Sequence, residues 1–286
     1  MDVAKNTIKP PIATWNCRGR LITVDKPLVM GILNSTPDSF FSGSRVNSET
    51  IADMATSMLE DGADILDIGG QSTRPGSEKL DAKEEIARVI PAIESVLKRN
   101  PDAIISIDTY HHQVAKLAVE AGALMVNDIS AGELDPEMMF TVAELHVPYI
   151  LMHMKGTPQT MTGEANYEDV TREVMDYFIL KSAECRKAGV RDLVIDPGFG
   201  FAKNIEHNLT LLKNLKVFQI LGLPVLAGLS RKSTIYNLLK TDSNHALNGT
   251  TVMNTIALLS GADILRVHDV KEAKEAVILT QKLQSI

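Results

Sequence analysis

Residues 193–201 read LVIDPGFGF: a short apolar run, a carboxylate, then a Pro-Gly-Phe-Gly turn. Leu, Val and Ile in succession, without polar residues between them, are the pattern of a strand buried on both faces. Asp196 stands where that strand stops. Gly198 and Gly200 let the chain turn and approach a flat ligand where a Cβ would intrude. An aspartate at such a place also serves as an ordinary helix cap, so one strand end decides nothing alone. The same grammar recurs, however, in both directions along the chain. Apolar runs fall at 28–34, 64–69, 104–108, 124–128, 149–152, 225–229 and 264–268. Segments with helical spacing separate them at 49–61, 82–98, 112–121, 170–187, 206–221, 252–260 and 270–283. Strand and helix alternating through eight units in about 250 residues predict an α/β chain folded as a closed (β/α)8 TIM barrel. An open doubly wound sheet is the alternative, but the first run lacks the G-x-G-x-x-G that a dinucleotide fold places there. Residues 14–24, TWNCRGRLITV, predict a short N-terminal β-hairpin turning at Arg18-Gly19 and plugging the bottom of the barrel.

With 286 residues, 44% of them hydrophobic, the chain can bury a large core. No Pro/Gly/Ser-rich linker interrupts it, so a single domain over 1–286 is expected. No apolar run approaches the roughly 18–20 residues of a membrane helix. The N-terminal MDVAKNTIKPP lacks the apolar stretch of a secretory signal, so a cytoplasmic location is expected. Cys17 and Cys185 are the only cysteines, too few for a disulfide framework or a cysteine zinc site. The net charge of -7 and the scattered Lys and Arg argue against nucleic acid as a partner. The expected substrate is small.

A barrel of this kind carries its active site at the C-terminal ends of its strands. Here those ends are Asn34, Asp67, Asp108, Asn127 with Asp128, Met152 with His153, Asp196, Ser230 through Lys232, and Arg266 with His268. Any one could be a cap, but eight polar ends around one mouth describe a pocket. Asp108, Asn127, Asp196 and Lys232 mix acceptors and donors as a planar heterocycle with an amidine edge and a ring carbonyl requires. Arg74, Arg266 and His268, with the Thr73 hydroxyl, suit a phosphate or diphosphate. Asn34 adds an oxygen ligand of the kind accepted by Mg2+ alongside phosphate oxygens and water.

The motifs MGILNSTPDSF, DIGGQSTRPGS, SIDT, NDIS, LMHM, DPGFGF, LSRKS and RVHD occur in the order found in dihydropteroate synthases. The chain resembles that family from Met30 to about Ala273. The resemblance implies a barrel enzyme of folate biosynthesis, a target of sulfonamides. It joins 4-aminobenzoate to the methylene carbon of 7,8-dihydropterin-6-ylmethyl diphosphate and releases pyrophosphate with Mg2+ present. It further implies that Asp108, Asn127, Asp196 and Lys232 hold the pterin, with Met152 and Phe201 packed nearby. Asn34 would bind the metal; Arg74, Arg266 and His268 would bind the diphosphate. Thr73, Arg74, Pro75, Phe40, Lys232 and Ser233 would form the aminobenzoate site, while Asp67, Gly200 and Ser230 complete the substrate lining. The family is usually a homodimer through helices late in the barrel. Two loops, 35–45 and 70–79, have the Gly, Ser and Pro content of lids.

Two positions depart from the family pattern. Ser42 stands where a second acid is common, and Gln71 replaces a frequent Glu. Three rival readings remain. A methyltetrahydrofolate-dependent corrinoid methyltransferase would share the ring contacts but needs no anion set. A metal-dependent barrel hydrolase could draw on His153 and His268, yet the first strand ends in Gly-Ile-Leu-Asn rather than in closely spaced histidines. A non-catalytic pterin carrier would have no use for a diphosphate clamp.

Overall fold

The computed structural model describes residues 13–35, 44–71 and 80–286. Strands β1 (Ala13–Cys17) and β2 (Arg20–Val24) pair antiparallel, with Trp15 opposite Ile22. Arg18 and Gly19 at their turn both have positive φ (53° and 92°), which twists the connection to match the strands. The chain then runs β3 (Leu28–Asn34), α1 (Ser44–Glu60), β4 (Ile65–Gly69), α2 (Ala82–Arg99), β5 (Ile105–Asp108), α3 (His112–Glu120), β6 (Met125–Asp128) and α4 (Met138–Leu145). It continues through β7 (Tyr149–Met152), α5 (Val170–Ala188), β8 (Leu193–Asp196), α6 (Ile205–Lys213), β9 (Leu226–Ala227), α7 (Ser233–Leu238), α8 (Leu247–Leu259), β10 (Ile264–Val267) and α9 (Val270–Gln284).

Eight parallel strands follow the order β8-β7-β6-β5-β4-β3-β10-β9. A parallel bridge between Ile195 and Val225, with Ile195 N donating to Pro224 O at 3.0 Å, brings the two ends of that sheet together. The eight-unit barrel expected from the sequence is therefore the fold, and the hairpin sits where it was expected. Trp15, Cys17, Ile22 and Val24 pack in one buried cluster with Leu28, Met30, Ile65, Met125, Ile150, Val194, Leu226 and Ile264, the inward residues at the lower ends of the strands.

Side chains alternate along a strand, so the inward positions two residues above that floor are Ile32, Asp67, Asn127, Met152, Asp196, Gly228 and Arg266, with Ser106 and Asp108 inward on β5. The intervening residues, among them Val29, Leu66, Ile105, Ile107, Val126, Leu151, Ile195, Leu265 and Val267, face outward into the larger core against the helices. The lower barrel is thus a packed apolar plug, and its chemistry begins one layer higher.

Three details differ from the sequence reading. The helix expected over 206–221 is α6 followed by a 3-10 stretch, Leu215–Leu221, with the break at Asn214. Strand β9 is only two residues long. Helices α4 and α7 were not anticipated. Met138–Leu145 is apolar nearly all round and shows no amphipathic period, and α7 is too short for one to register.

Candidate active site

The centre of the mouth is a charge cluster contributed by four strands. Arg266 Nε donates to Asp67 Oδ2 at 2.6 Å, and its Nη2 donates to Asp108 Oδ2. Asn127 Nδ2 donates to the same Asp67 oxygen at 2.9 Å. Asp67, Asp108 and Asn127 are all buried. Each carboxylate keeps one oxygen, Asp67 Oδ1 and Asp108 Oδ1, that is buried without a hydrogen-bond partner. A lone buried acceptor of this kind costs about 1–3 kcal/mol, more for a charged group, so the cluster is built to receive donors from elsewhere. Burial pushes the Asp108 carboxyl up to about 7, against the pull of Arg266. Burial would lower Arg266, but Asp67 and Asp108 outweigh it and hold the guanidinium charged.

Asp196, at the end of β8, accepts the Gly198 amide at 2.8 Å. Burial raises its pKa and Lys232 opposes the rise. Lys232 reaches back from the loop after β9 and donates to Phe199 O, its ammonium 4.8 Å from the Phe201 ring centre. Burial lowers it to about 8 despite Asp196. The glycines of this loop are there for space: a Cβ on Gly200 (φ 80°) would lie 2.9 Å from Lys232 Cδ, and one on Gly198 (φ 73°) would lie 2.0 Å from His153 O. Beside this polar edge, Tyr110, Ile129, Met152, Met154, Met161 and Ala202, with Phe201 against them, form an apolar wall. Acceptors, an ammonium and an apolar wall together fit a flat, polar-edged ring.

Across the mouth, the Ser230 hydroxyl lies 3.1 Å from His268 Nδ1 and accepts the His268 amide at 3.1 Å, which couples the loop after β9 to the end of β10. Ser233, at the start of α7, is exposed at the lip. Asn34 tops β3 in the inward register, half-buried. Among the described residues, no three His, Cys, Asp or Glu side chains are grouped as a metal site. A cation here would therefore depend on an amide oxygen such as that of Asn34 and on oxygens brought by a substrate.

The structure joins what the sequence separated. Arg266, read as part of the anion set, is held by carboxylates of the ring side. Three strand-end residues do not line the mouth, Arg231 among them, its guanidinium gripping Asp269. Asp128 points into the outer core, where its carboxylate accepts from Tyr149 OH, the Ser130 hydroxyl and amide, and Gly132 N. His153 lies edge-on to Tyr177 with ring centres 4.9 Å apart, and its Nδ1 is 3.0 Å from Lys203 Nζ. Burial, with Lys203 beside it, pushes His153 down to about 2, which leaves it neutral. Phe40, Ser42, Thr73, Arg74 and Pro75 lie outside the described residues. Gly228 and Lys203 were not singled out. A lone Gly within the apolar run VLAGLS was the available signal for the first, since such a Gly marks a close approach. Lys203, which also bonds His153 O and Phe201 O, ties two loops together and left no sequence signal.

Comparison with known proteins identifies the family. The model of the family described as pterin binding enzyme matches residues 30–268. Dihydropteroate synthase of Escherichia coli K12 is 43% identical over 263 residues, covering 91% of this chain and 93% of the relative. The solved structure of dihydropteroate synthase from Xanthomonas albilineans with 4-aminobenzoic acid superposes with a TM-score of 0.89 at 39% identity, over 96% of this chain and 99% of that one. A second structure of that protein, in complex with 7,8-dihydropteroate, gives a TM-score of 0.86 at 38% identity, over 96% and 100%.

Proposed function

The chain belongs to the pterin-binding enzymes and, within them, to the dihydropteroate synthases, transferases that act on a pterin-methyl group, and on that premise we propose how its residues divide the work. The reaction joins 4-aminobenzoate to 7,8-dihydropterin-6-ylmethyl diphosphate, giving 7,8-dihydropteroate and pyrophosphate. The observation that carries the assignment of the ring site is the pair of partnerless buried oxygens on Asp67 and Asp108. Asp108 and Asp196 accept ring N–H groups, Asn127 and Lys232 complete the edge, and Met152 and Phe201 cover the faces, with Gly200 and Gly228 keeping room. Arg266, His268 and Ser230 receive the diphosphate, joined by Arg74. Thr73, Arg74, Pro75, Phe40, Lys232 and Ser233 hold the aminobenzoate, the site that a sulfonamide would share.

Breaking the bond between the methylene carbon and the diphosphate oxygen leaves positive charge on the carbon, delocalised into the reduced ring. Fixed cationic groups at the leaving group stabilise the charge that develops there, commonly the largest contribution in such steps. The aromatic amine is neutral near pH 7 and attacks that carbon through its lone pair; the new C–N bond forms and the surplus proton passes to water. No strong base is required. The protein positions the two substrates and excludes water, which would otherwise compete for the carbon. Mg2+ fits as a companion of the diphosphate, with Asn34 as its protein ligand. When bound it would supply further charge neutralisation at the leaving group.

The homodimer expected of the family is supported by Val252, Ile256 and Leu259, an exposed apolar stripe along α8, and by Leu279 and Leu283 on α9, which packs against it. Among the described residues no helix is long and apolar enough to cross a membrane. A cytoplasmic setting suits the two free, buried cysteines. The test of the function is pyrophosphate release with both substrates present. Release without aminobenzoate would make the protein a hydrolase, and none with both would refute the assignment.

A further inference from the structure

Arg231 stands in the middle of the Ser-Arg-Lys turn at the mouth, yet its side chain is fully engaged elsewhere. Its Nε and Nη2 grip the two oxygens of Asp269 at 2.9 and 2.7 Å, and Nη1 donates to Ser243 O and Asn244 O at 2.8 and 3.2 Å. Its amide donates to the buried Thr250 hydroxyl at 3.0 Å. One residue thus ties the loop after β9 to α8, to the turn at Ser243–His245 and to the residue that follows His268. Its backbone is left-handed, φ 53°, a conformation that L side chains rarely adopt. The twist has a consequence: the residues on either side, Ser230 and Lys232, both face the mouth, where Ser230 meets His268 and Lys232 meets Phe199 O.

We propose that the Arg231–Asp269 fork is a positioning device for the anion half of the site: it fixes the loop after β9 against the end of β10, so that Ser230 and His268 present their polar atoms to the diphosphate together. Arg231 itself does not touch the substrate. A planar guanidinium gripping both carboxylate oxygens fixes an orientation, which a lysine ammonium does not. The inference rests on the diphosphate assignment made above for Ser230 and His268.

The test uses the sign of two opposite charge changes. The full-length protein and its Arg231→Gly, Arg231→Lys, Asp269→Asn and Arg231→Gly/Asp269→Asn variants are titrated calorimetrically with pyrophosphate and Mg2+, with folding checked by circular dichroism. Glycine tolerates the positive φ, so Arg231→Gly removes the fork without adding backbone strain. A positioning role predicts that each single variant weakens pyrophosphate binding roughly tenfold to a hundredfold, the scale of misplaced groups. The double variant should be no worse than the worse single, and KM for the pterin diphosphate should rise more than kcat falls. If Arg231 acts through its charge or by direct contact, Asp269→Asn, which removes a negative charge, leaves binding unchanged or strengthens it; either result overturns the proposal. Folded variants of normal affinity and lowered melting temperature would also overturn it, because they leave the fork a purely structural role. Failure of the parent protein to bind pyrophosphate would sink the diphosphate assignment itself, and the proposal with it.

Discussion

Gly228 is the position where a single methyl group separates folding from binding. It lies on the inward face just above β9, and a Cβ built there would be 3.6 Å from Lys232 Nζ, 3.9 Å from Asp196 Oδ2 and 4.0 Å from Leu226 Cδ2. All three are ordinary van der Waals distances, and Gly228 is not among the positive-φ glycines, so Gly228→Ala strains nothing. Restricting the unfolded chain should even stabilise the protein by about 0.4–1 kcal/mol. The same methyl, however, projects towards Asp196 and Lys232, where the ring is assigned. Forcing extra volume into a fitted contact costs about 1–3 kcal/mol, and that is about 5- to 150-fold in affinity. We therefore expect Gly228→Ala to melt at or above the parent temperature while binding a pterin without diphosphate at least several-fold more weakly in calorimetric titration. Gly222 is the contrasting control. A Cβ there meets nothing within 4 Å but φ is 64°, so Gly222→Ala should lower stability by about 1–2 kcal/mol and leave pterin affinity unchanged. Normal pterin affinity in a folded Gly228→Ala protein would show that the ring does not lie beside β9, and the assignment of Asp196 and Lys232 to its edge would fail.

The pH dependence of pterin binding should be bell-shaped. Asp108, raised to about 7, must be ionised to accept ring donors, so affinity falls as pH drops below that value; Lys232, lowered to about 8, must be protonated to donate, so affinity falls again above it. A flat profile from pH 5.5 to 9.5 would refute both roles. Glu85, buried on α2 and bonded to the Thr109 hydroxyl at 3.0 Å, is raised by burial from the ordinary 4.5 to about 8. A raised carboxyl favours the folded state fully below its ordinary pKa and loses that contribution as pH climbs through about 8, with a ceiling on the order of 4–5 kcal/mol at roughly 1.4 kcal/mol per unit. Glu85→Gln should therefore match the parent in urea unfolding at pH 5 and exceed it at pH 8.5; parallel curves would show that Glu85 does not titrate. Arg74→Ala should raise KM for aminobenzoate and lower kcat with little effect on bare pterin affinity, and an unchanged KM would remove Arg74 from that site.

The barrel was legible because strands buried on both faces stay apolar throughout, so each of the eight runs stood out from its flanking helices. The same uniformity hid which way each residue points. Asn127 and Asp128 are adjacent, chemically similar and both at a strand end; only register shows that Asn127 enters the mouth while Asp128 is consumed by Tyr149, Ser130 and Gly132. Met152 and His153 divide in the same way. The partners of Arg266 were invisible for a different reason. Asp67 and Asp108 are 199 and 158 residues away in sequence, and they meet it only when the barrel sets β10 beside β3, with β4 and β5 next in the sheet, so that Arg266 reaches past β3. Residue type showed that Arg266 suits an anion; topology decides that carboxylates reach it first.

That cluster also departs from what stability alone would select. A buried ion pair loses much of its attraction to the cost of taking both charges out of water, and well-packed apolar side chains of similar volume often do as well or better. The floor of this barrel shows the apolar solution, with Met30, Ile65, Met125, Ile150, Val194, Leu226 and Ile264 filling the space one layer below. Two residues higher, four of those strands give up that packing for Asp67, Asn127, Asp196 and Arg266, and two carboxylate oxygens, on Asp67 and on Asp108 of β5, are left without partners. Local rules of burial fail together at this one layer, and such a failure is the mark of a site built for something other than the fold. The arrangement is coherent once a ring with several N–H donors is brought to it, because the donors satisfy the oxygens that the protein does not. Arg266 is already charged and already held by carboxylates on two strands, so in the proposed division of the site it would need little reorganisation to face the negative charge that departs from that ring.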